Sequence, residues 1–283
     1  MSSDSRGRGL PSDAGDRAWQ HESLQISGAA AGAAPEVFVA YAAASDFIAE
    51  CEARVIRTDA LERPHLALIA DPQNGRHATV RWLARRHRPF RVPSTDTAVV
   101  PCVVTELPLQ AKKRGLRDAF ARALGLIECA SWPDLAAAYK AACVRLLVLR
   151  NAHEILDLDP AAQRDTLDQL HDFASQAKVH LVFVATRHFL DVVAADATLS
   201  QLTHRMRLPR WTPSTLTSLL VGLQAAWEVR NVELATYADL VCDAGDGRIG
   251  SIVRQLRYAL DDGRVQDAPT FLKRLLSRAG SGV

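Results

Sequence analysis

The sequence predicts an α/β fold: a parallel sheet flanked by helices, with a small C-terminal helical lid. Three observations point there. Short apolar runs at Leu66–Ala70, Ala98–Thr105, Arg145–Leu149 and Val179–Ala185 alternate with longer runs of helical period. Strands that are apolar throughout are buried on both faces, as in doubly wound sheets. The first run stops at a turn-rich loop (Asp71-Pro-Gln-Asn-Gly75), and a helix-like run from Val80 to Arg86 follows. Beyond Trp211 only helical patterns remain.

In chain order, residues 1–34 carry Ser, Gly, Asp, Arg and an Ala/Gly run without periodic apolar positions, and read as a flexible N-terminal arm. Residues 35–211 form the α/β domain, and 212–283 the lid and C-terminal helices. Pro35 opens a helix-like stretch (Val37, Phe38, Tyr41, Phe47, Ile48, Cys51) that ends near Arg57. After the first strand and its helix, a Pro-rich turn from Pro89 to Pro93 leads into the second strand. Gly115 interrupts a helical run through Leu116, Phe120 and Leu124, and a further helix covers Pro133 to Cys143. The third strand follows. Asp159-Pro160 then starts a long amphipathic helix carrying Leu167, Leu170, Phe173 and Ala174. The fourth strand precedes a short fifth at Arg205–Leu208. Four helical patterns close the chain, at Pro213–Glu228, Leu234–Asp243, Ile249–Leu260 and Ala268–Arg278.

With 283 residues, 48% hydrophobic and 23% charged, the chain has the composition of a globular protein. A net charge of +2 is too small to argue nucleic-acid binding by itself, so any basic surface is local. Five scattered cysteines, none in a C-x-x-C spacing, read as buried thiols of a reducing, cytoplasmic compartment. No apolar run approaches the roughly 18 residues that span a bilayer, and no metal site is expected.

Strand, loop, helix is the context in which backbone N–H groups and a helix N-terminus cradle a phosphate. In the register of the phosphate-loop pattern G-x-x-x-x-G-K-[ST], this chain reads Ala70-x-x-x-x-Gly75-Arg76-His77. Only the second glycine stands. Lys has become Arg, and the hydroxyl that holds Mg²⁺ has become an imidazole. An ordinary strand-to-helix turn is the alternative on spacing alone. In a nucleotide-hydrolysing sheet the third strand ends in Asp-Glu, one carboxylate for Mg²⁺ and one to polarise water. Here Leu146–Leu149 lead into Arg150-Asn151, a cation and an amide that cannot take a proton. Asp71 or Glu154 is the expected partner of Arg150. Thr186-Arg187, after the fourth strand, either contact a γ-phosphate or cap the next helix.

Taken together, these segments resemble the TniB family of AAA+ ATPases, regulators that accompany transposases. The resemblance runs from about Pro35 to Gly263. It rests on Arg63-Pro64, Asp71, Asn74-Gly75, His153, Ala185-Thr186-Arg187, Leu199 through Arg205, Leu208-Pro209-Arg210-Trp211 and Gly247-Arg248-Ile249-Gly250. It implies an AAA+ P-loop-type domain with a helical lid that assembles as an oligomer on double-stranded DNA and directs a transposase to its target. It also implies ATP as the nucleotide. Asp71, Asn74, Gly75, Arg76 and His77 would lie at the phosphates, with Arg150 and Asn151 at the positions for metal and water. Thr186 would be a sensor, Arg205 would act in trans, and Arg248 would act from the lid. The departures gather at the chemistry, which is the pattern of a pseudo-ATPase: hydrolysis lost, Mg²⁺ not expected, ATP binding left open.

The expected function is therefore that of a TniB-like transposition protein acting through DNA, a transposase or a second, active AAA+ subunit. The alternatives are an active NTPase with an atypical loop, and a DNA- or protein-binding module on this fold unrelated to transposition. For DNA, Lys112-Lys113-Arg114 is the candidate phosphate contact, with Gly115 allowing close backbone approach. Arg81, Arg85 and Arg88 share a helical face and read as a solvated one.

Overall fold

The computed structural model describes residues 25–27, 36–38, 41–56, 64–107, 113–127, 129–195, 197–260 and 268–279. Strands β1 (Gln25–Ser27) and β2 (Glu36–Phe38) form an antiparallel pair ahead of helix α1 (Ala42–Ile56). Strand β3 (His65–Ile69) and helix α2 (Arg76–Arg86) flank the loop; a hairpin of β4 (Phe90–Val92) and β5 (Thr97–Val99) precedes β6 (Cys102–Glu106). Helices α3 (Lys113–Ala123) and α4 (Trp132–Ala141) lead to β7 (Leu146–Arg150), and α5 (Pro160–Ala177) to β8 (His180–Ala185). Short helices α6 (Phe189–Ala195) and α7 (Ala197–Leu202) come before β9 (Thr203–Arg207). The remainder is helical: α8 (Pro213–Ala226), α9 (Ala238–Ala244), α10 (Ile249–Leu260) and α11 (Ala268–Ala279).

The main sheet has five strands in the order β6-β7-β8-β3-β9, every neighbouring pair parallel. Alternate residues of each strand serve opposite faces. Ala67, Ile69, Val103, Leu147, Leu149, Leu181 and Phe183 pack under α3 to α6, while Leu66, Leu68, Leu146, Val148, Val182 and Val184 pack under α1 and α2. That two-sided burial is why these strands read as unbroken apolar runs. The chain leaves β3 for the far edge, works back through β6, β7 and β8, and places β9 on β3's other side. The loops after β3 and its neighbours therefore gather at one carboxyl edge, where open α/β sheets bind ligands.

Several expectations change. Gln25–Ser27 is a strand, so the arm expected over 1–34 is not irregular throughout. Glu36–Phe38 extends to pair with it, and α1 starts only at Ala42, because Phe38 stacks on Trp82 of α2 at a centroid distance of 5.0 Å. The expected strand 98–105 is two strands, broken at Pro101. Proline has no N–H to give a ladder, and its carbonyl accepts from the amides of Arg145 and Leu146. Gly115 lies inside α3 rather than interrupting it. Cys51, Cys102 and Cys242 are buried thiols as expected, but Cys143 is exposed. Among the described residues no helix is long and apolar enough to cross a membrane.

The C-terminal helices have a core of their own, in which Leu216, Leu220, Leu234, Val241, Ile252, Leu256 and Phe271 cluster with Trp211. Helix α8 starts cleanly: Thr212 caps it, accepting from the Thr215 amide and donating its own to the Thr215 hydroxyl, with Pro213 at the first position.

Candidate nucleotide cleft

The loop 70–75 is held from three sides. Asn74 is fully buried, and its amide donates to the carbonyls of Leu208 (3.1 Å) and Pro209 (2.8 Å), fixing the loop to the end of β9. Asp71 accepts from Arg210 Nε at 2.8 Å. Gln73, in a left-handed conformation (φ 64°), accepts at its carbonyl from the Gly250 amide (2.7 Å) at the start of α10. Its side-chain oxygen accepts from Ser251 and Arg254. A Cβ on Gly250 would come within 2.9 Å of that Gln73 carbonyl, so only glycine lets helix and loop meet so closely. Gly75, also left-handed (φ 85°), then turns the chain into α2, whose N-terminus has no side-chain cap. Its first N–H groups are left for a ligand.

Between this loop and the C-terminal helices lies a cleft of about 640 Å³, a size ordinary for a small-molecule site. Gly75, Arg76, His77 and Thr79 line one end; Phe38, Tyr41, Trp211, Trp227, Leu219 and Val253 line the other. Tyr41 and Trp211 touch at 4.5 Å between centroids. One end is thus polar and cationic; the other is aromatic and carries a cation of its own, the Arg257 guanidinium 5.6 Å from the Trp227 ring centroid.

The charged groups at the sheet edge differ from the expectation. Arg150 pairs with neither Asp71 nor Glu154 but with Glu106, at 3.0 Å. The reason is register: Glu106 and Arg150 are direct partners across β6 and β7, whereas Asp71 is taken by Arg210. Asn151 sits in a left-handed turn (φ 57°) and starts the 3₁₀ segment Ala152–Asp157. Arg76 is 8% exposed; one nitrogen reaches the Ala70 carbonyl at 3.4 Å, and its Nε has no hydrogen-bond partner. Burial, then the Arg150 charge, lowers the pKa of Arg76. Burial, then Arg76 and Arg150, likewise lowers that of His77, which favours the neutral imidazole. Burial, followed by Glu106 and Asp157, raises that of Glu154.

This donor set does not fit Mg²⁺, which wants oxygen ligands in near-octahedral array. A guanidinium stands at the carboxylate position and engages Glu106, and an imidazole replaces the hydroxyl; the unpartnered Glu154 Oε2 and Thr186 hydroxyl do not make up such an array. Among the described residues no three His, Cys, Asp or Glu gather as a metal site.

The other expected site residues are dispersed. Thr186 is buried with its hydroxyl unpartnered; its carbonyl, not its side chain, accepts from the Phe189 amide. Arg248 pairs with Asp246 at 3.1 Å. Arg205, on the outer strand β9, donates to Ser200 at 2.6 Å. Lys112 and Arg63 lie outside the described residues; Lys113 and Arg114 open α3. Sequence reasoning missed Glu106, Gln73 and the aromatic end. Glu106 directly follows the expected strand end at Thr105, but its place beside Arg150 is set by the pairing of β6 with β7; the aromatics come from segments more than a hundred residues apart.

A family model described as bacterial TniB protein matches residues 30–213. The chain belongs to the TniB family. The match covers the α/β portion and stops at the start of α8. No curated protein matches the sequence. Among solved structures, ORC2 of Aeropyrum pernix in ADPNP–ADP complexes is similar at a TM-score of 0.61 and 12% identity, over 84% of this chain and 68% of that one. The RuvB Holliday junction branch migration motor of Thermotoga maritima is similar at 0.54 and 14%, over 83% and 68%. ORC1 of A. pernix in complex with DNA is similar at 0.57 and 16%, over 83% and 64%. Likeness at such identities is of fold: this TniB-family chain has the AAA+ fold.

Proposed function

We propose that this TniB-family protein is a transposition-associated AAA+ protein that holds a nucleotide without hydrolysing it, and acts through DNA and protein partners. The observation that carries the loss of hydrolysis is the Arg150–Glu106 pair at the position of the metal-binding carboxylate. Phosphoryl transfer depends on positioned metal and charge stabilisation. Here the metal's hydroxyl and carboxylate ligands are both replaced, and Asn151 cannot polarise a water. The cleft with its cationic and aromatic ends supports retained binding.

Family membership favours a transposase, or an active AAA+ subunit, as partner, and an oligomer as the working form. The DNA-bound ORC1 relative supports duplex DNA as a ligand, with Lys112, Lys113 and Arg114 as the phosphate contact. Arg205 and Arg248 are assigned to a neighbouring subunit's site and to the lid.

The test is nucleotide turnover by the purified protein with Mg²⁺, alone and with DNA. No turnover is expected. Metal-dependent release of phosphate at about 1 min⁻¹ or faster, the rate of slow NTPases, and abolished by Gly75→Glu, would overturn the proposal.

A further inference from the structure

We propose that the segment after α2 and the β4–β5 hairpin form a nucleic-acid contact of their own, in which Arg88 and Arg91 take backbone phosphates and Phe90 stacks on an unpaired base. This contact is separate from the cleft and from Lys112, Lys113 and Arg114, and depends on neither.

The contact lies at the amino end of the sheet. Helix α2 runs from the loop after β3 back to that end, and the hairpin finishes at Val99, just ahead of β6 at Cys102. Among the described residues β4 and β5 pair with each other and with no strand of the main sheet. Lys113 and Arg114 open α3 beyond the carboxyl end of β6. The five residues of that strand, about 17 Å of extended chain, lie between the two basic segments.

Residues 85–95 contain four arginines and no carboxylate. Glu52 holds Arg86 at 2.7 Å, and Asp96 holds Arg91 at 3.0 Å. The second pair is open to solvent, with side chains 67% and 82% exposed, and such a pair is weak. Its guanidinium keeps further N–H donors, in a fork that suits phosphate oxygens. Arg88 is exposed and, among the described residues, makes no hydrogen bond or ion pair. Phe90 is 53% exposed, an aromatic ring left largely in water on a two-stranded ribbon. Pro89 favours an extended Arg88, and residues two apart along an extended chain share a side. Arg88 is thus presented with the ring, while Arg91 alternates to the other face. An exposed ring among guanidinium groups is the combination that holds single strands: cations follow the backbone and aromatic faces stack the bases. Duplex DNA keeps its bases stacked on one another and leaves such a ring only the role of a wedge. A single strand is therefore the better fit.

The experiment is fluorescence anisotropy at low salt with a labelled oligothymidylate of about 20 nucleotides, longer than one typical single-strand site, and with a duplex of the same length. The protein is the full chain carrying Lys112→Ala, Lys113→Ala and Arg114→Ala, so that the other basic segment does not report. The single strand is expected to bind more tightly than the duplex. Adding Phe90→Ala is expected to weaken single-strand binding about tenfold, the scale of one lost stacked base, and Phe90→Trp to retain it. Arg88→Gln is expected to flatten the log–log salt slope by about 0.7, the share of one phosphate on a single strand. Both side chains are exposed, so the urea midpoint should not move with any of these changes. Single-strand binding unchanged in Phe90→Ala, or lost equally in Phe90→Trp, overturns the stacking role. No single-strand binding, or a duplex bound as tightly, overturns the proposal. Self-association in sedimentation that Phe90→Ala abolishes, with DNA binding unchanged, gives this face to a second copy of the chain and overturns it as well.

Discussion

Arg210 donates through Nε to the Asp71 carboxylate at 2.8 Å, tying the segment after the last strand to the loop after the central one. The same guanidinium meets Asp246, which also takes Arg248 at 3.1 Å. Loop, linker and lid are thus joined by one alternating chain of charges. The Arg210 hydrogen bond holds the Asp71 carboxyl below its ordinary pKa.

That link has a pH signature. A depressed carboxyl pKa contributes stability that is present above the unfolded value, about 3.9, and is lost as pH falls through the folded one. Arg210→Ala should therefore melt below wild type at neutral pH. The gap should narrow below about pH 4 and in high salt, because the pair is solvent-exposed and screened. A gap constant down to acid would assign the effect to packing instead.

The Gly250 contact is steric. Gly250→Ala puts a methyl 2.9 Å from the Gln73 carbonyl oxygen and 3.0 Å from its Cβ, which pushes α10 off the loop and stretches the hydrogen bond between them. A loss of about 1–3 kcal/mol in urea unfolding is expected, the usual cost of overpacking. A variant as stable as wild type would show that the lid is not seated on the loop.

At the opposite edge of the sheet, His65 faces the rings of His171 and His180 at centroid distances of 6.0 and 6.4 Å. Burial first, then the neighbouring histidines, pushes its pKa down to about 3. Its Nδ1 accepts from the Leu181 amide, which requires the neutral ring on that side. The unfolded chain takes up a proton near pH 6.5 that the folded chain excludes, so stability falls as pH drops from about 6.5 toward 3. One such group sets a slope of up to about 1.4 kcal/mol per pH unit. His65→Leu should lower stability at neutral pH, by the lost acceptor, yet flatten this slope between pH 6 and about pH 4, read from urea midpoints; an unchanged slope would refute the assignment.

Arg150 contributes little to stability itself. Its side chain and that of Glu106 are 35% and 58% exposed, and exposed ion pairs are worth about 1 kcal/mol or less. A double-mutant cycle with Arg150→Ala and Glu106→Ala should return a coupling within that bound. A coupling of several kcal/mol would mean a far more desolvated pair.

DNA binding through Lys112, Lys113 and Arg114 should be independent of sequence and fall steeply with salt. Replacing all three by Ala should cut affinity and flatten the log–log salt slope by roughly 2–3 units. Equal binding by that variant, or none by wild type at low salt with its partner present, rejects the assignment.

The sequence alone determined the parallel sheet, the order of its helices and the all-helical C-terminal part. Those depend on local period and on strands buried on both faces, which leave continuous apolar runs such as Leu146–Leu149. It also carries the difference of Gly75-Arg76-His77 and Arg150-Asn151 from the phosphate-loop and acidic-pair patterns, because residue identity alone decides a match to a pattern. Tertiary structure decided the partners. Arg150 pairs with Glu106 and not with Asp71 or Glu154 because strand register sets them side by side, while Asn74 and Asp71 are drawn to the Leu208–Arg210 segment 134 to 139 residues away. The aromatic end of the cleft is likewise a product of folding. Phe38, Tyr41, Trp211 and Trp227 carry no shared local pattern, and meet only because the lid folds back over the carboxyl edge of the sheet.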